Sequence, residues 1–210
     1  MSARARPRGR FIVLEGIDGA GTTTQARRLV RALRRRGHEA IVTREPSNGV
    51  VGRHIRRCLR QTPGPSAERL ASLFAADRLD HVETEILPAL ARGAMVVSDR
   101  YVLSSLAYQG VEGDAAWIET LNNKAPPPDL TLLLDVSSTE AARRRQRRGG
   151  IKDRYEVTPF QRRVAARYRE LAQVRQVDNV VVLDGSAPVA AIARAILAEV
   201  EAMLPARRRL

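Results

Sequence analysis

Short apolar runs alternate with longer amphipathic stretches along the chain. "FIVLEG" (11–16), "EAIVT" (39–43), "AMVVSD" (94–99), "DLTLLLDV" (129–136) and "NVVVLDG" (179–185) are dense in Val, Ile and Leu. Runs of that length and make-up predict buried strands. Between them the apolar residues return at helical spacing. Residues 22–37 place Ala26, Leu29, Val30 and Leu33 on one face and stop at Gly37. Residues 66–91 predict a long helix with Leu70, Phe74, Leu79, Val82, Ile86 and Leu90 inward and a bend near Pro88. "VLSSLAY" (102–108) reads as helix, and Ser137 or Ser138 caps another that runs to "RRRQRR" (143–148). Residues 158–176 and 188–204 complete the set. Five strands, each followed by helix, predict an α/β fold: a five-stranded parallel sheet with helices on both faces. No repeat or linker divides the chain, so one domain is expected over 1–210. Such sheets bind ligands at the carboxyl ends of their strands.

Composition narrows the picture. Apolar residues make up 44% of the chain, enough for a core. Cys58 is the single cysteine, which excludes an internal disulfide framework and suits a reducing compartment. No apolar run approaches the ~20 residues of a membrane span. The basic opening "MSARARPRGR" lacks a signal-type apolar segment after it, so a cytoplasmic protein without membrane attachment is expected. The net charge of +13 invites a nucleic-acid reading. Its distribution argues against one. Lys124 and Lys152 are the only lysines, and the arginines gather in the tails (1–9 and 205–210) and around 143–154. Solvated tails plus one phosphate-handling segment account for that pattern. Aromatics are few and not interleaved with the basic runs, so single-strand stacking is not expected either.

The chemistry concentrates in "LEGIDGAGTTTQ" (14–25). Gly16, Gly19 and Gly21 lie between a strand and a helix, where a loop can turn its N–H groups onto phosphates. With Ile17, Asp18, Ala20, Thr22, Thr23 and Thr24 they form the candidate ATP site. Thr23 carries the hydroxyl that a phosphate loop presents to Mg²⁺. The usual pattern has lysine at the position of Thr22. A bias from lysine to arginine does not explain a neutral threonine there. Charge-assisted hydrogen bonds are worth about 1.5–3 kcal/mol each, so the missing cation must be supplied elsewhere. A tight turn without ligand is the plain alternative. After the third strand, Asp99 can reach a metal and Arg100 can fork onto a phosphate. Taken singly they read as a helix cap and a surface ion pair; beside a phosphate loop they read as a site.

Several segments in order resemble the thymidylate kinases, of bacterial type: "FIVLEGIDGAGTTTQ", "TREPSNG", "LFAADRLDHVETEILPALARG", "SDRYVLSSLAYQG", "PDLTLLLDV" and "GGIKDRYE". The resemblance spans about 10–204. It implies a P-loop nucleoside monophosphate kinase fold, usually a homodimer, that phosphorylates dTMP to dTDP with ATP and Mg²⁺ in thymidine nucleotide synthesis. It also implies roles. Phe74 stacks on the thymine, and Arg78, one helical turn on, meets a base carbonyl. Ser104, Ser105 and Gln109 lie toward the base edge, while Tyr108 crowds the sugar 2′ position. Arg100 holds the acceptor phosphate. Arg44, Glu45 and Pro46 line the acceptor pocket, and Asp18 approaches the sugar 3′-hydroxyl. Thr23 and Asp99 attend the metal. Some members carry a catalytic arginine in the phosphate loop, at the position of Gly19. Others supply it from a lid, here about 143–157, with Arg143, Arg147, Arg148 and Arg154 as candidates. The chain departs from the family pattern at Thr22 and again at "SNG" (47–49), where "GGT" is usual. Both an active kinase whose lid arginines replace the lysine and a weak or inactive nucleotide-binding regulator fit these departures. A kinase for another nucleoside monophosphate and a nucleic-acid-binding module fit less well.

Overall fold

A computed structural model describes residues 8–148, 155 and 158–204; of Arg148 and Thr158 only the backbone is described. The tails and Arg154 lie outside these residues. Five strands form one parallel sheet: β1 (Phe11–Glu15), β2 (Ala40–Arg44), β3 (Met95–Asp99), β4 (Leu130–Asp135) and β5 (Val180–Asp184), in the order β2-β3-β1-β4-β5. Every residue of β1 and β3 is buried. Successive strand side chains point to opposite faces, so both faces of the central strands are covered.

Helices α1 (Thr22–Arg35), α2 (Val50–Cys58), α3 (Ala67–His81), α4 (Leu87–Ala91), α5 (Val102–Tyr108), α6 (Ala115–Leu121), α7 (Ser138–Arg148), α8 (Thr158–Val174) and α9 (Val189–Met203) supply the cover. The bend expected near Pro88 is a π-helical turn, Val82–Ile86, that joins α3 to α4. Leu87 N–H bonds to Val82 O, five residues back, just ahead of the proline that cannot donate. Ser137, rather than Ser138, caps α7, accepting from Glu140 N–H at 3.2 Å.

Two helices were not expected. α2 opens with two β-branched valines and contains Gly52, a weak helical signature. The glycine is needed because a Cβ there would lie 2.1 Å from Ser47 O. α6 is short and starts at Asp114, whose carboxylate accepts from Ala116 N–H at 2.9 Å and Trp117 N–H at 3.2 Å.

The register sets the site. Leu14 lies opposite Asp99, and Asp99 opposite Arg44, so β1, β3 and β2 end at one level. The connection after β1 runs to the β2 edge, and that after β3 crosses to β4. Chain leaving in opposite directions opens a crevice above these strand ends.

Candidate active site

Two cavities meet above the crevice. The larger, about 610 Å³, is lined by the loop 18–24, by Arg143, Arg144, Arg145 and Arg147 of α7, and by 186–189. The smaller, about 120 Å³, is lined among others by Glu45, Pro46, Phe74, Arg78, Ser104, Ser105, Tyr108, Gln109 and Tyr155. Asp18 and Arg100 line both. Their ion pair, 2.7 Å from Nη2 to Oδ1, is the wall between the cavities.

On the loop side, α1 begins at Thr22 with Gly21 as its N-cap residue. Among the described residues the N–H groups of Gly19, Gly21, Thr22 and Thr23 have no partner within the chain, so they are available to an anion. Gly19 has φ +96°, and a Cβ on it would fall 2.4 Å from Ala141 O of α7. Only glycine lets the loop lie that close to the helix. Gly16 and Ile17, expected in the ATP site, do not line the cleft. Ile17 turns its side chain into the core, because its carbonyl, not its side chain, shapes the turn by accepting from Ala20 N–H. Thr22 is buried and lines the cleft.

Thr23 Oγ1 donates to Asp99 Oδ2, while Oδ1 is buried without a partner. A hydroxyl and a carboxylate with one oxygen spare fit a hard divalent ion that keeps its other positions for water and phosphate.

The α7 arginines are not equivalent. Arg143 and Arg144 both bond Glu140, and Arg144 also reaches Gly185 O at 2.9 Å. Together they hold the Glu140 carboxyl down at about 2. Arg145, nearly buried, donates to Asp18 O. Arg147 is exposed, lines the cleft and makes no ion pair with any described residue. The side chain of Arg148 and all of Arg154 lie outside the described residues.

The second pocket is tightly built. Arg78 is 1% exposed, and its donors are divided among Glu45 Oε2 (2.9 and 2.6 Å), Asn122 Oδ1, Tyr101 O (3.1 Å) and Ser105 Oγ (3.1 Å). Phe74 sits one turn before it on α3, at the pocket wall. His81 lies behind, with Glu45 Oε1 at 3.3 Å and Glu85 Oε2 at 3.5 Å. Burial disfavours its charge, but the bonds to Glu45 and Glu85 outweigh this and push it up to about 9. Arg100 has φ +79°, an uncommon backbone state for a side chain of its size. It rests over the Tyr108 ring at 4.9 Å and meets Ser104 Oγ at 3.2 Å. Arg44, expected near the acceptor phosphate, is exposed at the end of β2 and lines neither cavity, because alternation turns it away from its neighbour Glu45. The "SNG" departure is anchored: Ser47 donates through N–H and Oγ to the buried Asp77 carboxylate, each at 2.6 Å.

Glu15 was passed over in the sequence. A carboxylate closing an apolar strand was the available signal. Its Oε1 accepts from Tyr101 N–H at 2.8 Å and its Oε2 from Ser104 Oγ at 2.6 Å and Tyr168 OH at 2.8 Å, which fixes the start of α5. Burial pushes it up to about 7, against these bonds and the charge of Arg100.

A sequence model described as thymidylate kinase matches residues 14–196. The chain belongs to the thymidylate kinase family. It is 43% identical over 173 residues to a probable thymidylate kinase of Pyrococcus horikoshii, covering 80% of this chain and 84% of that one. A thymidylate kinase of Clavibacter sepedonicus is 41% identical over 206 residues, covering 94% and 97%. A probable thymidylate kinase of Pyrobaculum calidifontis is 39% identical over 202 residues, covering 95% and 100%. Membership of the thymidylate kinase family makes the chain a phosphotransferase on a P-loop fold. None of the described helices is long and apolar enough to cross a membrane.

Proposed function

We propose that this chain transfers the γ-phosphoryl group of ATP to dTMP, giving dTDP and ADP, and that it does so without the loop lysine. The Asp18–Arg100 pair carries this reading. It faces the phosphate loop on one side and the Phe74–Arg78 pocket on the other, where a transferred group must pass. A phosphate monoester is largely dianionic near neutral pH, so the acceptor oxygen needs no general base. The site has to position two anions and offset their charge.

The donor phosphates lie against the free N–H groups of Gly19, Gly21, Thr22 and Thr23. Thr23 and Asp99 would hold Mg²⁺, which when bound would offset negative charge on the phosphates. Arg100 takes the acceptor phosphate. Phe74 offers the base a flat face, and Arg78 and Ser105 a polar edge. Gln109 Nε2 bonds Tyr155 OH at 3.2 Å and leaves Oε1 buried as an unpaired acceptor. The N3–H of thymine is a donor, whereas N3 of cytosine is not. Tyr108 fills the side of the pocket where a 2′-hydroxyl would lie.

The charge absent at Thr22 comes from α7. Arg143 is tied to Glu140 of its own helix and Arg144 and Arg145 hold the helix to the loop, so Arg147 is the described arginine best able to turn onto the γ-phosphate. The test is ADP release with Mg-ATP, with and without dTMP. Release that depends on dTMP and exceeds that with dCMP or UMP is expected. No dTMP-dependent release would replace the enzyme by a nucleotide-binding regulator.

A further inference from the structure

Gln161 is a buried neighbour of Asp18. It lies in the first turn of α8 and is 0% exposed. Its Oε1 accepts from the backbone N–H of Asp18 at 3.0 Å. Its Nε2 donates to Asp18 Oδ2 at 2.7 Å and to Tyr155 O at 2.6 Å. The pattern fixes the amide's orientation. Only an acceptor can meet the Asp18 N–H, so the NH₂ must face the carboxylate and the carbonyl.

This arrangement divides the Asp18 carboxylate. Oδ1 goes to Arg100 Nη2 and Oδ2 to Gln161. A carboxylate with both oxygens free grips a guanidinium in a two-bond fork. Gln161 engages the oxygen that the fork would need and, through its bond to the Asp18 N–H, fixes the carboxylate's rotation so that Oδ1 faces Arg100. Arg100 is left with one bond to Asp18 and weaker ones to Ser104 Oγ (3.2 Å), Tyr108 OH (3.2 Å) and Tyr168 OH (3.5 Å). Those hydroxyls are contacts that a dianionic phosphate can displace. Gln161 also takes the Asp18 N–H out of the loop's anion-binding set, so Asp18 turns no donor toward the ATP phosphates.

We propose that Gln161 is a positioning residue: it holds Asp18 in single-bond contact with Arg100 and so keeps Arg100 available to the acceptor phosphate. The inference rests on the acceptor reading given above. Leucine at 161 would fill much of the space, but nothing apolar could divide the carboxylate.

Gln161→Met keeps the volume and removes all three bonds. Calorimetry should show the dTMP dissociation constant rising about tenfold while Mg-ATP binding changes less than twofold, with the same split between the two KM values. In an Asp18→Asn background, where the fork to Arg100 can no longer form, Gln161→Met should weaken dTMP less than twofold further. Gln161→Glu is the second variant should Met disturb folding. It keeps the acceptor for the Asp18 N–H but sets a carboxylate against a carboxylate, and at pH 8 it should show the same loss confined to dTMP. Equal weakening of both nucleotides, or an undiminished Gln161→Met effect in the Asp18→Asn background, would reduce Gln161 to a packing role. If the unmodified chain binds no dTMP, the proposed function falls and this inference with it. If it binds dTMP and the variants bind it equally well, only the positioning role falls.

Discussion

The two cavities hold their charges in opposite ways. Around the acceptor pocket Arg78, Glu45 and His81 are buried and bonded to one another, and Arg78 touches four residues. Around the loop cleft Arg143 and Arg147 of α7 are exposed, and Arg143 and Arg144 share one carboxylate. A buried network is costly to disturb and specifies one geometry. A cluster on a helix end is cheap to rearrange. The geometry of the Phe74–Arg78 pocket is therefore fixed by the fold, whereas the charges of α7 are left adjustable, and the proposed replacement of the lysine by an α7 arginine draws on that freedom.

The comparison breaks first at the wall. Arg100→Ala leaves Asp18 half-buried without its cation. It also removes the guanidinium proposed to grip the acceptor phosphate, whose charge-assisted bonds are worth about 1.5–3 kcal/mol each; kcat/KM for dTMP should fall by about 10²–10³, measured in the ADP-release assay. On the donor side Arg147→Ala should lower kcat by about tenfold, roughly 1.4 kcal/mol, and leave dTMP binding nearly unchanged. An intact kcat would move the compensating charge away from residue 147.

A smaller effect reports on the acceptor network through pH. The folded value of His81 is raised to about 9 from the ordinary 6.5. Its charge therefore stabilises the fold fully below about pH 6.5, and that contribution is lost as pH rises through about 9. The urea midpoint should fall between pH 7 and 10, and His81→Gln should flatten that part of the fall. The smallest effect is expected at the cleft itself. Thr22 borders about 610 Å³ of open space, so a longer side chain has room. Thr22→Lys should keep the fold and change kcat by less than about threefold in either direction. A sharp loss would show that an α7 arginine already occupies the lysine's place.

The same contrast explains what could be read from the sequence. The glycine loop, the strand ends and the five-strand alternation are local patterns, and each lies where its pattern placed it. Phe74 and Arg78 stood out only through the family resemblance, since a phenylalanine at helical spacing otherwise reads as core; both line the smaller cavity. Asp77, Glu15 and Gln161 were not. Their partners stand 30, 89 and 143 residues away in Ser47, Ser104 and Asp18, and no spacing rule connects them. Arg144 and Arg145 were missed for another reason. In a run of five arginines the sequence cannot say which face meets the loop, and it is contact with Ala20 O and Asp18 O that separates them from Arg147.

The seat of Gly19 against Ala141 limits how this molecule can change over generations. A side chain at 19 would strike the α7 backbone, so an arginine in the loop and α7 in its present seat exclude each other. If the lid supplies the cation, as proposed, one substitution is not enough to move it to the loop. The helix must first draw back, and drawing back loosens Arg144 and Arg145 from the loop they brace. Each change is harmful until the other is in place. The contact of one glycine with one carbonyl is thus enough to keep a loop arginine and this seat of α7 from coexisting.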